Sequence, residues 1–202
     1  MKPLILASVS PRREYLLKAF GVPFKVIPSD FYERSVLETN PEKLALKLAL
    51  AKARRVAEKE EGVIVGADTL TVFEGKILNK PRTMEEAKKF FRGFRDHPHR
   101  LISAVAFIDT VSGTEKTITA EIEVWFKNLP DKVLDDYLDH HYPLDKSAGY
   151  NISQASDFID RAVGEYSIHL GLPMNEVAKV LEEFGFKINR LDYEEYARGY
   201  RE

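Results

Sequence analysis

In the stretch LASVSPRREYLL, two arginines, Arg12 and Arg13, follow directly on Ser10 and Pro11. Ser10 is a good helix N-cap, and Pro11 fits the first helical position, where its missing N–H has no partner to lose. The first turn carries the positive end of the helix dipole and normally favours acids, yet only Glu14 offsets the two cations. Free N–H groups, a positive dipole and two guanidinium forks together form a site for phosphate or carboxylate. The alternative is that both arginines reach into water or pair with distant acids. Asp68 follows the apolar run Val63 to Ala67, which reads as a buried strand ending where open α/β sheets place their ligands. Its alternative is a turn residue capping backbone N–H groups. Lys52, inside an apolar helix, and Lys80, in LNKPR, are cations of a kind that is usually solvated. Glu33 and Asp30 fall in an acidic loop. Two or three carboxylates, several cations and a helix start suit a magnesium–triphosphate complex, in which the basic groups neutralise phosphate oxygens.

Other chemistries lack their residues. A phosphatase with an aspartate nucleophile after a strand needs a second acid two positions on, and Leu70 stands there. The chain has no P-loop, no GxGxxG and no HExxH, and His97, His99, His140 and His141 read as surface or loop residues rather than a zinc site. With no cysteine there is no disulfide and no thiolate site, which fits a reducing compartment.

The elements that must hold these groups follow from periodicity and caps. Strands are expected at Pro3 to Ala7, Phe24 to Ile27 and Val63 to Ala67, with a hairpin turning at Glu74-Gly75. Leu101 to Asp109 and Thr117 to Phe126 read as two long strands, the second alternating Ile118, Ala120, Ile122, Val124 and Phe126 with polar residues. A further strand is expected near Tyr166 to Leu170. Helices are expected from Pro11 to Phe20, from Asn40-Pro41 to about Glu60, from Thr83 (capped with Glu86) to Phe94, from Pro130 to His140, and from Pro173 to Phe184. Residues 192–202 read as a peripheral C-terminal tail in the form of a helix. Strands and helices intermix throughout, so the class is α/β (mixed α+β), as one domain over 1–202 with no firm internal boundary.

Hydrophobic residues at 44% and charged residues at 31% describe a globular chain with a substantial core. Thirty basic and 32 acidic residues leave a net charge of −2, so any pull on a polyanion must be local and stable nucleic-acid binding is not expected. No apolar window reaches membrane-spanning length, and the short run Leu4 to Ala7 is no secretory core; a cytoplasmic protein without membrane contact is expected.

Taken together, LASVSPRREYLL, Glu33, Lys52-Ala53, GADT at 66–69, LNKPR around Lys80, DKSAGYNI from Asp145, and GLP at 171–173 resemble, in order, the motifs of the Maf family of nucleoside triphosphate pyrophosphatases. The resemblance implies a fold related to the inosine triphosphate pyrophosphatases, with an elongated mixed sheet flanked by helices and two lobes around a central cleft. It implies hydrolysis of a nucleoside triphosphate to the monophosphate and pyrophosphate with Mg²⁺ or Mn²⁺ as cofactor. Asp68 matches the general base, and Glu33 with Asp68 the metal ligands. Lys52 and Lys80 match triphosphate-contacting lysines, and Ser8, Arg12 and Arg13 match the phosphate-binding helix start. Asp68-Thr69 resembles the branch acting on dTTP and UTP, with Thr69 facing the substrate. The family's glutamine, in a YGIQG run, is displaced here to Gln154 or replaced by Ser153. His169, before GLP, is read as structural. A homodimer is an allowed assembly, and a nucleotide-binding regulator of cell division without turnover is the alternative function.

Overall fold

The computed structural model describes residues 2–144, 146–150 and 155–200. They build a seven-stranded mixed sheet. Its strands are β1 (Leu4–Leu6), β2 (Phe24–Val26), β3 (Val63–Phe73), β4 (Lys76–Leu78), β5 (His99–Asp109), β6 (Thr114–Phe126) and β7 (Ile159–Val163). Their order is β2-β1-β3-β5-β6-β7, with β4 paired to β3 off this path. β1 runs parallel to both β2 and β3, and the remaining pairs are antiparallel. The helices are α1 (Pro11–Lys18), α2 (Pro41–Ala57), α3 (Met84–Asp96), α4 (Asp131–His140), α5 (Met174–Glu183) and α6 (Tyr193–Arg198).

Alternation along the strands divides the core in two. Ile5, Ala7, Ile64, Ile102, Ala104 and Ala106 turn to one face, which α2 covers with Ala45, Ala49, Ala53 and Val56. Leu4, Leu6, Val63, Val65, Val105 and Phe107 turn to the other, which α1, α3, α4, α5 and α6 cover with larger side chains such as Leu17, Phe91, Leu138, Leu181 and Tyr193. The alanine ridge of α2 lets it lie very close to the sheet. A Cβ on Gly66 would stand 2.4 Å from the Ala49 carbonyl oxygen and 2.7 Å from the Ala53 nitrogen, so only glycine fits beneath the helix.

Several sequence expectations change. The run from Val63 does not end at Asp68. β3 continues for eleven residues because β5, equally long, pairs with it from Val63↔Asp109 to Val72↔Arg100. The hairpin at Glu74-Gly75 forms as read, with positive φ at both turn residues. The last strand is Ile159–Val163 on β6, and Tyr166–Leu170 is instead a 3-10 turn. Ser167 to Leu170 are all buried, without the alternation of a half-exposed strand, so the period could not decide between the two. The C-terminal tail forms the helix expected of it, α6, but it is not peripheral: Tyr193 and Ala197, with Tyr200 beyond, enter the core, while Tyr15 and Tyr196 stack with ring centroids 4.6 Å apart. Among the described residues no helix is long and apolar enough to cross a membrane.

Replacing Gly66 by alanine should cost about 1–3 kcal/mol, the usual penalty of overpacking, because the atoms it meets are backbone and cannot rotate away. Urea unfolding of Gly66→Ala beside wild type measures it, and an unchanged midpoint would show that α2 can shift freely.

Candidate functional site

The site forms where β1 stops. β1 has three residues and β3 eleven, so beyond the bond from Ala7 N to Val65 O (2.8 Å) the edge of β3 is open until β4 pairs at Thr71. Asp68 and Thr69 lie in that gap, pointing to opposite faces.

On the α2 face, Lys52 lies in the helix's buried stripe and is 8% exposed; Asp68 is 6% exposed. The Lys52 ammonium is 2.6 Å from Asp68 Oδ1 and 2.6 Å from Glu33 Oε1. Glu33 opens a short 3-10 turn (Glu33–Ser35), and its carboxylate reaches in from a half-exposed position. One buried cation thus bridges two carboxylates, and removing Lys52 would leave the buried Asp68 carboxylate without its partner. Glu33, Lys52 and Asp68, three of the residues singled out in the sequence, are therefore in direct contact.

On the other face, Arg13 does not extend into water from the first turn of α1. Its Nε donates to the Gly171 carbonyl (3.2 Å), one terminal nitrogen to Ser8 Oγ (3.3 Å) and the other to Thr69 Oγ1 (3.2 Å). Thr69 Oγ1 in turn donates to the buried Ser103 Oγ (3.2 Å), which donates to the Gly171 carbonyl (3.1 Å). Ser10 caps α1 by accepting from the Arg13 N–H, as read. Desolvation lowers the Arg13 pKa from its ordinary value; Asp68 and Glu33 oppose the shift and Arg12 reinforces it. Gly171 holds a left-handed φ of 100°, and a Cβ there would stand 2.8 Å from Arg13 Nε.

Beside this network lies a cavity of about 150 Å³ walled in part by Arg12, Arg13, Thr69, Thr71, Tyr150 and His169. Tyr150 is fixed by an aromatic cluster with Phe91, Phe94 and Phe126, and its hydroxyl is 2.5 Å from His99 Nε2. Thr71 and Ser147 hydroxyls meet at 3.2 Å on the cavity wall. Gly66, Ser147 and Tyr150 fell inside motifs quoted from the sequence without a role of their own, and Thr71 and Ser103 were passed over; the position of Thr71, two residues along the strand from Thr69, carried a signal. His99, read as a surface or loop residue, is 1% exposed and stacked on Phe94 at 4.0 Å, because it opens β5 on the core face.

Lys80 is exposed, just past β4 and next to Asn79, whose carbonyl accepts from Ala148 N (3.4 Å); it joins neither group by an ion pair with a described residue. Arg54 and Arg55, exposed in the last turn of α2, pair with Glu115 and Glu58. Asp145, Ser153 and Gln154 lie outside the described residues. Among the described residues no group of three or more acids and histidines could hold a metal ion. The two-carboxylate set of Glu33 and Asp68 still fits a hard divalent cation, since both oxygens already share one positive charge and Mg²⁺ completes its shell with water and phosphate.

Comparison with known proteins places this arrangement. The family model for "Maf-like protein" matches residues 3–184. This chain belongs to the Maf family. A relative from Desulforamulus reducens named dTTP/UTP pyrophosphatase is 38% identical over 191 residues, covering 93% of this chain and all of that one. One of the same name from Carboxydothermus hydrogenoformans is 37% identical, covering 91% and 99%. Among solved structures, the Ham1 protein of Staphylococcus aureus superposes with a TM-score of 0.53 at 13% identity over 91% of this chain and 100% of that one. A HAM1 protein from Coxiella burnetii gives 0.51 at 16% over the same shares. At these identities the likeness shows a common fold, so the Maf-like chain has the mixed-sheet architecture its motifs implied.

Burial lowers the pKa of both His99 and His169 to about 3, far below the ordinary 6.5. The unfolded chain then binds protons that the folded one refuses, so stability is full above pH 6.5 and falls as pH drops toward 3. Each histidine should remove about 1.4 kcal/mol per pH unit in that window. Urea unfolding at pH 7, 6 and 5, where carboxylates are still ionised, should show the decline, and a flat profile would contradict the neutral burial of both rings.

Proposed function

We propose that the protein is a nucleoside triphosphate pyrophosphatase that splits the α–β anhydride of dTTP- and UTP-type nucleotides, giving the monophosphate and pyrophosphate. The observation that carries this reading is the cation position bracketed by Asp68 and Glu33 at the open edge of β3, beside an arginine-bearing helix start. The names of the relatives point to the same substrates.

Asp68 is the general base. With Oδ1 engaged by Lys52, Oδ2 takes the proton of the water that attacks the α-phosphorus. Lys52 orients that carboxylate and offers positive charge to the phosphate oxygens, as do Arg12 and Arg13; Lys80 reaches the chain of phosphates from the rim. Ser8, by accepting from Arg13 and from the Ser10 N–H (3.2 Å), sets the loop between β1 and α1 that receives the phosphates. Glu33 and Asp68 would hold Mg²⁺ or Mn²⁺, which when bound supplies charge neutralisation on the phosphate oxygens. Thr69 contributes to the substrate side of the strand, with Ser153 and Gln154 as further substrate contacts. The pyrophosphate leaves carrying charge that the cations have already stabilised.

Pyrophosphate release from a panel of nucleoside triphosphates with Mg²⁺ or Mn²⁺ tests this. Wild type should turn over dTTP or UTP, and Asp68→Asn should lower kcat by about 10²- to 10⁴-fold while remaining folded. Nucleotide binding without turnover by wild type would instead support the regulator.

A further inference from the structure

Ser103 lies in the interior of β5, 0% exposed and beyond the reach of any ligand. It stands opposite Thr69 of β3 and Ala120 of β6, on the sheet face that carries Leu101 and Val105 into the larger core. An apolar side chain would cost nothing there, whereas a hydroxyl must be hydrogen-bonded to offset its desolvation. Two bonds do so. Ser103 Oγ accepts from Thr69 Oγ1 (3.2 Å) and donates to the Gly171 carbonyl (3.1 Å).

These bonds close a ring with Arg13, whose Nε donates to the same carbonyl (3.2 Å) and whose terminal nitrogen donates to Thr69 Oγ1 (3.2 Å). The direction of every bond in the ring is set at Gly171. A carbonyl only accepts, so the Ser103 hydrogen goes to it; the Ser103 oxygen therefore accepts, the Thr69 hydrogen goes to Ser103, and Thr69 turns lone pairs alone toward the guanidinium. Without the serine hydroxyl, the Thr69 hydrogen is free to swing toward Arg13 and the carbonyl loses one of its two donors. Arg13 would then keep only its bond to Ser8 Oγ unaltered.

Of its five N–H groups Arg13 spends three on Gly171, Thr69 and Ser8 among the described residues, which leaves one on each terminal nitrogen. The guanidinium lines the cavity that Arg12 also borders. A planar fork grips a phosphate through paired bonds, and it does so best when its plane is fixed in advance.

We propose that Ser103 is a positioning residue: it fixes the plane of the Arg13 guanidinium, and through it the binding of phosphate, without touching the substrate. This rests on the pyrophosphatase reading of Arg13 as a phosphate contact.

A double-mutant cycle between Ser103→Ala and Arg13→Lys tests it, with Ser103→Cys as a second variant that fills the volume of serine but donates only weakly. Urea unfolding establishes which variants fold, and the cysteine variant serves if alanine does not. The readouts are kcat and KM for dTTP and, independently of turnover, calorimetric binding of inorganic tripolyphosphate with Mg²⁺. A guanidinium released from its plane should lower kcat/KM by about 10- to 100-fold and weaken tripolyphosphate binding by about tenfold in either serine variant. In the Arg13→Lys background the same replacements should change both quantities by less than about twofold, because the fork they position is gone. Wild-type tripolyphosphate affinity in a folded serine variant would overturn the assignment. So would losses of equal size with and without Arg13, which would show that Ser103 acts through the core alone, and so would a wild type that binds no tripolyphosphate. If wild type turns over no nucleoside triphosphate while tripolyphosphate binding still shows the coupling, the pyrophosphatase reading falls and the positioning role stands.

Discussion

The contact on which the site depends is the one between α2 and β3 at Gly66. A helix packed through leucines would stand too far from the sheet for a lysine on it to meet a carboxylate in the middle of a strand. Ala45, Ala49 and Ala53 remove the bulk from the helix, Gly66 removes it from the strand, and the Ala49 carbonyl occupies the space a Cβ would fill. Lys52, one turn before Val56 on the same stripe, is thereby brought to Asp68. The loop bearing Glu33 closes the arrangement from outside, so a surface carboxylate and a buried one share a single cation. The buried part of the bridge is Lys52 with Asp68, and each needs the other to offset its desolvation.

The early end of β1 is the second constraint. A longer β1 would pair with residues 67–70 of β3 and close the open edge at Asp68 and Thr69. Its three residues suffice to fix β3 in parallel register and then release the chain into α1, whose Ser10 cap aims the first turn at the gap.

Local signals in the sequence were legible where the cause is local. Ser10-Pro11, Asn40-Pro41 and Thr83 with Glu86 start their helices because each satisfies backbone donors within its own turn. Asp68 was found by reasoning about the end of a strand, and the strand that ends beside it is β1, not its own; the partner β5, which prolongs β3, is set by pairing some forty residues away in the chain. Arg13 looked like a cation waiting for an anion because its partners, Thr69 and Gly171, come from 56 and 158 residues further on. The burial of His99 and His169 was illegible for the same reason, since a histidine's surroundings are decided by tertiary packing and neither sits in a periodic pattern that demands an apolar residue. Lys52 was legible as an anomaly, a charge on an apolar stripe, and its meaning required the strand beneath.

Asp68 and Thr69 are neighbours in the chain and, through the pleat of β3, belong to separate compartments. One joins the carboxylates and ammonium under α2; the other joins the arginine network and the cavity. Peptide geometry holds the two side chains at a fixed spacing while the sheet keeps their surroundings apart. The cavity walls, at Thr71, Ser147 or His169, can therefore change while the ion-paired cluster under α2 stays as it is. Divergence in substrate preference within one scaffold needs no reinvention of the chemistry, only repainting of one side of a strand.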